Sequence, residues 1–234
     1  MGESIQAIHY HDDNIITQEK MGTVKLWTVK KSSYTMVTTY SGGVGFCKSV
    51  VLNNSLLVPQ EDGGVDILDI TSLEKVQRLM PEIESIGKLM CLESLEIDGN
   101  VCVLGGYESG DVVLWDMNSF KPCANIRLQE HITSITFDTD NGRGVVGGPS
   151  NILQMFEIDK SYKMILRSEI SMTNEGVNIV KLRPDKKIMV TGGWDGRIRI
   201  YSWKTMRILV TLPEHKAAIT DVQFSPCILS VWGC

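Results

Sequence analysis

Four kinds of side chain in this sequence could take part in chemistry. They are His9 and His11, the carboxylates Asp12-Asp13 and Glu82/Glu84, six cysteines, and the glycine-rich run Gly42-Gly43-Val44-Gly45. His9 and His11 alternate along a strand-like run, so they share one face and imitate half a metal site. No third ligand accompanies them, and two edge or solvated histidines are the better reading. The carboxylates flank strand-like runs in polar stretches, where solvated charge is the default. Gly42-Gly43-Val44-Gly45 lacks both the following helix and the Lys-Ser/Thr of a phosphate loop, so a turn between units accounts for it better. There is no Gly-x-Ser-x-Gly nucleophile elbow. The cysteines (Cys47, Cys91, Cys102, Cys123, Cys227, Cys234) form no Cys-x-x-Cys pair and have no histidine at ligand spacing, which argues against zinc. Cys91 and Cys102 sit in apolar runs and read as buried, reduced thiols. The expectation is a chain without catalytic residues, cofactor, metal or small-molecule substrate.

Composition narrows the class. The 234 residues are 43% apolar and 22% charged, a globular balance rather than a disordered one. No run approaches the roughly 18 uncharged apolar residues of a membrane helix. Met1 to Gln6 has neither a signal peptide's regions nor a myristoylation signal, so the sequon Asn53-Asn54-Ser55 should be inert. A soluble protein of the cytoplasm, the nucleus or both is expected. The net charge of −5 is uneven. From Lys181 to Arg207, eight basic residues face only Asp185 and Asp195, so that segment is +6 and the remainder −11. A nucleic-acid binder usually shows a basic domain; an acidic chain with one basic sector does not fit. The sector, with Lys186 and Lys187 at its centre, is either a patch for an acidic protein partner or the solvated rim of strands.

These residues must be positioned by a repeat. A turn with Gly or Asn, a β-branched alternation and a large terminal residue recur five times. The copies run from Met21 to Trp27, Asp62 to Asp69, Glu108 to Asp116, Ser150 to Phe156 and Trp194 to Tyr201. Trp27, Leu68, Trp115, Phe156 and Tyr201 are spaced by 41, 47, 41 and 45 residues. The fifth unit divides into strand runs Val177 to Leu182, Ile188 to Thr191, Ile198 to Tyr201 and Ile208 to Leu212, separated by Gly, Pro and Asp turns. Four short strands per 40-odd residues are one propeller blade, and no long 3.6-residue periodicity calls for a helix. The units run roughly 1–40, 41–80, 81–126, 127–170 and 171–213, within one propeller domain, with a partial unit over 214–234.

Leu114-Trp115-Asp116, the Asp195-Gly196 turn and the pairs Glu130-His131 and Glu214-His215 resemble the WD40 family. In that family a His, a strand Ser/Thr, a turn Asp and a Trp form a hydrogen-bond network within a blade; here no blade carries all four. Gly45 to Ser49, Val65 to Leu68, Gly106 to Gly110 and Leu182 to Asp195 look, more closely, like the guanine nucleotide-binding protein beta-subunit-like WD-repeat proteins. That resemblance implies a non-enzymatic adaptor working with the co-chaperone assembly that matures phosphatidylinositol-3-kinase-related kinases. It also implies a fungal counterpart in an ASTRA-type assembly, and no nucleotide binding. The alternative is a Gβ-like signalling adaptor, disfavoured because Ile5 to Tyr10 opens as a strand without heptads.

Propellers bind partners through loops held on a rigid scaffold. Trp194 and Tyr107 precede the same turn in different units, so both are expected on one face. With Arg197 they are the contact candidates, since aromatics and Arg dominate interfaces; the alternative is that each ring folds onto its own blade. A sixth unit is expected to begin at His215 with Ile219 to Phe224. Its continuation, Cys227 to Cys234, lacks the Gly-Asp turn, so the expectation is an incomplete seven-bladed ring.

Overall fold

The computed structural model describes residues 3–30, 33–128 and 131–225. Among them there is no helix, and therefore none long and apolar enough to cross a membrane. Twenty strands form five four-stranded antiparallel meanders, each pairing its strands in chain order. The first holds β1 (Ile5–His11), β2 (Asn14–Glu19), β3 (Thr23–Lys30) and β4 (Ser33–Ser41). The second holds β5 (Val50–Leu52), β6 (Ser55–Pro59), β7 (Val65–Asp69) and β8 (Lys75–Leu79), the third β9 (Leu89–Ile97), β10 (Asn100–Tyr107), β11 (Asp111–Asp116) and β12 (Lys121–Arg127). In the fourth lie β13 (Ser134–Asp138), β14 (Arg143–Gly147), β15 (Ile152–Ile158) and β16 (Met164–Ser171). β17 (Val177–Leu182), β18 (Ile188–Gly193), β19 (Ile198–Ser202) and β20 (Ile208–Leu212) make the fifth. This is the blade pattern the repeat predicts, with every anchor (Trp27, Leu68, Trp115, Phe156, Tyr201) on the third strand of its sheet.

The inner strands are buried and the outer ones exposed. β6 and β7 are buried almost throughout, whereas every residue of β20 is exposed. The described residues fall into two compact units, one up to Ile132 with Ile158–Ile165, the other Thr133–Glu157 with the residues from Leu166 on. Within the first, Ile16, Val24 and Leu26 pack with Leu56, Val58 and Leu68 to join the first two sheets. Leu57, Val65 and Ile67 pack with Leu89, Val103, Val113 and Trp115 to join the second and third. In the second unit Val145, Leu153 and Met155 pack with Val180, Met189, Tyr201 and Trp203. Within each unit, neighbouring sheets thus hide apolar residues against one another, which is how a half-apolar sheet becomes stable in water.

Gly42 and Gly43 lie in the β4–β5 connection, the between-unit turn expected of them. A Cβ on Gly43 would stand 2.4 Å from the Glu61 backbone nitrogen, so the backbone approach itself requires glycine. The expected strand at Ile219 to Phe224 is absent: residues 214–225 form none, because a strand needs a ladder partner and none lies beside it among the described residues. Ile219 is nevertheless buried, and its N–H donates to the Gly193 carbonyl at 3.0 Å. Glu130, Cys227, Cys234 and the rest of the tail from Pro226 lie outside the described residues.

Candidate functional site

In an antiparallel meander, successive turns fall on opposite edges of the sheet. In the fifth sheet the β17–β18 and β19–β20 turns share one edge and the β18–β19 turn takes the other. Lys186, Lys187 and Lys204 therefore lie at one edge, and Trp194 and Arg197 at the opposite one. The basic segment is not one continuous patch.

At the Trp194 edge, the indole lies over Gly176, whose φ of +83° and missing side chain leave room for the ring. Its Nε1–H donates to Asn178 Oδ1 at 2.6 Å, and 47% of the residue stays exposed. Behind it Asp195 is gripped by Arg199, with Nη2 at 2.6 Å and Nη1 at 3.3 Å from the two carboxylate oxygens. Burial alone would raise the Asp195 carboxyl; the Arg199 guanidinium and the Arg197 N–H outweigh it and hold the group below the usual carboxylate range. Arg197 is exposed, with Nη1 at 3.3 Å from Asn174 Oδ1 and at 3.9 Å from Asp195. Trp194 and Arg197 thus stand exposed on one turn, which the Arg199–Asp195 pair ties down.

Tyr107 corrects the reading that paired it with Trp194. It is completely buried, donates its hydroxyl hydrogen to the Gly63 carbonyl at 2.8 Å, and sits 6.2 Å from the Trp115 ring. Burial pushes its phenol far above the ordinary tyrosine value. The cause is a one-residue offset: the Gly110 N–H donates to the Tyr107 carbonyl as the Gly196 N–H donates to that of Gly193, so Gly193, not Trp194, is the counterpart of Tyr107. Tyr107 is core rather than contact surface.

At the opposite edge the structure assembles a group that the sequence did not single out. Asp138, fully buried at the end of β13, accepts hydrogen bonds from Trp203 Nε1 at 2.6 Å, Asn141 Nδ2 at 2.7 Å and the Asp140 N–H at 3.0 Å. Burial opposes its ionisation, but these donors and nearby Lys186 outweigh it and lower its pKa. The Arg143 guanidinium stacks 4.1 Å from the centre of the Trp203 ring and donates to the Trp203 carbonyl. Lys186, a candidate contact, is occupied: its Nζ is 2.6 Å from Asp140 and 3.5 Å from Asp138. Lys187 and Lys204 are exposed and make no ion pair among the described residues. The advance signal of this group was the basic segment, which holds Lys186, Lys187 and Lys204 but gives no sign of Asp138, Arg143 or the indole's role. Trp203 falls two residues past the repeat's anchor and matches no periodic position.

The chemical candidates have ordinary roles. His9 bonds Ser49 Oγ at 2.9 Å, and its burial lowers its pKa; His11 stands 3.6 Å from Asp12. Cys47 and Cys102 are buried, and burial pushes the Cys102 thiol up to about 11, the opposite of a nucleophile's shift. Cys91, expected to be buried, is only partly so, and Cys123 is exposed on β12, an outer strand with alternating burial. Among the described residues no three His, Cys, Asp or Glu side chains gather as metal ligands. Part of the family's blade network is present in the first sheet, where Trp27 Nε1 donates to Thr17 Oγ1 at 2.9 Å across β3 and β2.

Five four-stranded antiparallel blades with anchors on their third strands define a WD40-type β-propeller, and the family profile described as "WD domain, G-beta repeat" matches residues 167–202. The chain therefore carries a WD repeat over these residues. It is similar to the mouse (Mus musculus) guanine nucleotide-binding protein subunit beta-like protein 1, 32% identical over 211 residues, which is 86% of this chain and 65% of that protein. It is also 29% identical over 163 residues to ASTRA-associated protein 1 of Schizosaccharomyces japonicus, covering 62% of this chain and 44% of the relative. The chain thus spans less than two thirds of the length of either relative. The crystal structure of the computationally designed Ika8 protein superposes with a TM-score of 0.72 at 20% identity, over 94% of this chain and 65% of that one, a likeness of fold.

Proposed function

We propose that this chain is a non-catalytic scaffold that holds protein partners during the assembly of larger complexes. The observation that carries the reading is the similarity over 86% of the chain to a beta-like WD-repeat protein. The geometry supports it: strands fix the backbone, while turns carry exposed side chains such as Trp194 and Arg197, which a partner can read without disturbing the core. The relative named as ASTRA-associated supports a place in multi-subunit assembly. More specifically, the partners are subunits of the co-chaperone assembly that matures phosphatidylinositol-3-kinase-related kinases, met in the cytoplasm or nucleus. Affinity purification of the tagged chain followed by quantitative mass spectrometry tests this. Enrichment of those co-chaperone subunits is expected; recovery of a gamma-type subunit in their place would establish the signalling-adaptor alternative.

A further inference from the structure

The β13–β14, β17–β18 and β19–β20 turns of the second unit and the end of β15 border an open cavity of about 680 Å³. Arg143, Lys186, Lys187 and Lys204 line it, together with Trp203 and Glu157. We propose that this cavity binds a peptide segment of a protein partner that carries clustered carboxylates. The proposal rests on the scaffold reading and names the chemistry of one contact.

The charge balance comes first. Of the four cations, Lys186 is neutralised by Asp140 and Asp138. The single lining carboxylate, Glu157, is held by Arg167 at 2.6 Å. Arg143, Lys187 and Lys204 remain without a carboxylate in hydrogen-bond contact among the described residues, three positive charges around one hollow. Cations lining a concave, partly water-excluded wall focus their field into it and select anions.

The floor is already built. Asp138 locks the Trp203 indole through Nε1, and the indole carries the Arg143 guanidinium on its face. Arg143 Nε is buried without a hydrogen-bond partner. Burial also pulls the guanidinium below its usual pKa, with Asp138 and Glu157 opposing, so the group is partly desolvated before any ligand arrives. A desolvated, rotationally fixed guanidinium loses little further hydration or freedom on meeting a carboxylate, the condition under which Arg binds best.

Size selects the ligand. A cavity of this volume falls within the roughly 300–1,000 Å³ range of ligand sites and exceeds what one free phosphate or carboxylate fills. Three separated cations match successive side chains of an extended acidic segment better than one compact dianion.

The test is fluorescence anisotropy of the full chain with a fluorescein-labelled hexaglutamate peptide, hexaglutamine being the control. Saturable binding is expected, weakened at least about tenfold by the exposed double reversal Lys187→Glu/Lys204→Glu and by raising salt from about 50 to about 300 mM. Arg143→Lys keeps the charge but removes the planar stack, and should weaken binding with the melting temperature checked alongside. No binding, or equal binding by the double reversal, overturns the proposal. So does displacement by inorganic phosphate at concentrations where the peptide's carboxylates should win, or binding confined to a phosphoserine peptide of equal charge. Failed peptide binding with intact capture of co-chaperone subunits would sink the cavity assignment alone; failed capture by a chain that binds hexaglutamate would sink the scaffold reading alone.

Discussion

In the sequence Tyr107 and Trp194 look alike, each a large aromatic just before a Gly-containing turn, yet one is core and the other surface. β10 runs through Tyr107, after a bulge, and its ring closes over the second and third sheets with its hydroxyl on Gly63. β18 stops one residue earlier, at Gly193, so Trp194 opens the turn and lies over Gly176 with half its surface in water. A repeat equates backbone positions. Here the equated positions are Tyr107 and Gly193, whose carbonyls accept from the Gly110 and Gly196 N–H groups in turn, so Trp194 stands one residue further into its turn than Tyr107 does, and side chains alternate faces with a period of two.

The contrast can be broken by mutation. Replacing Tyr107 with Ala should have the largest effect, about 3–5 kcal/mol, because a fully buried aromatic is removed and a cavity left between two sheets. That corresponds to a fall of roughly 10 °C in melting temperature, measured by calorimetry. A shift of only a degree or two would mean that the ring is not part of the core.

A smaller effect comes from the buried carboxylate at the other edge. Asp138→Asn should cost about 1–3 kcal/mol at neutral pH, since the Trp203 and Asn141 donors lose a charged acceptor. The pH dependence has a definite sign. Asp138 and Asp195 are held below their ordinary values in the folded chain, so their contribution is fully present above the unfolded carboxylate value of about 3.9. It is lost as pH falls from there through the lower folded value. Melting temperatures between about pH 6 and pH 2.5 should drop on the acid side for the wild type, and less steeply for Asp138→Asn. Equal slopes would show that Asp138 titrates alike folded and unfolded.

The smallest effect is expected of Trp194→Ala, about 1 kcal/mol or less, because the ring leaves solvent for solvent and gives up one exposed hydrogen bond. Its consequence should appear in partner capture instead. A variant that captures partners as well as the wild type would remove Trp194 from the contact surface, and one that unfolds would place it with Tyr107.

Much of the fold was readable before the structure. Strand runs in the fifth unit were recognised from β-branched alternation between Gly, Pro and Asp turns, and they agree with β17 to β20 within two residues. Even the weak copy from Ser150 to Phe156 forms β15, a strand buried almost throughout. The strand expected at Ile219 was not found for the complementary reason: apolar alternation permits a strand, but a paired neighbour makes one.

The surfaces were far less readable. Lys186 looked free because its neighbours in sequence are basic, but Asp138 and Asp140, almost fifty residues away, take up its charge. Trp203 fits no spacing rule, and the carboxylate that fixes it is 65 residues distant. What the amino-acid order determined by itself was the repeat, the strands, the turns and the uneven charge, all properties of adjacent residues obeying local backbone geometry. Only the tertiary structure decided which aromatic is buried, which lysines are paired and where a cationic hollow lies. Those depend on strand register and on side chains from different sheets arriving at one edge, and electrostatic pairing follows distance in space rather than distance along the chain.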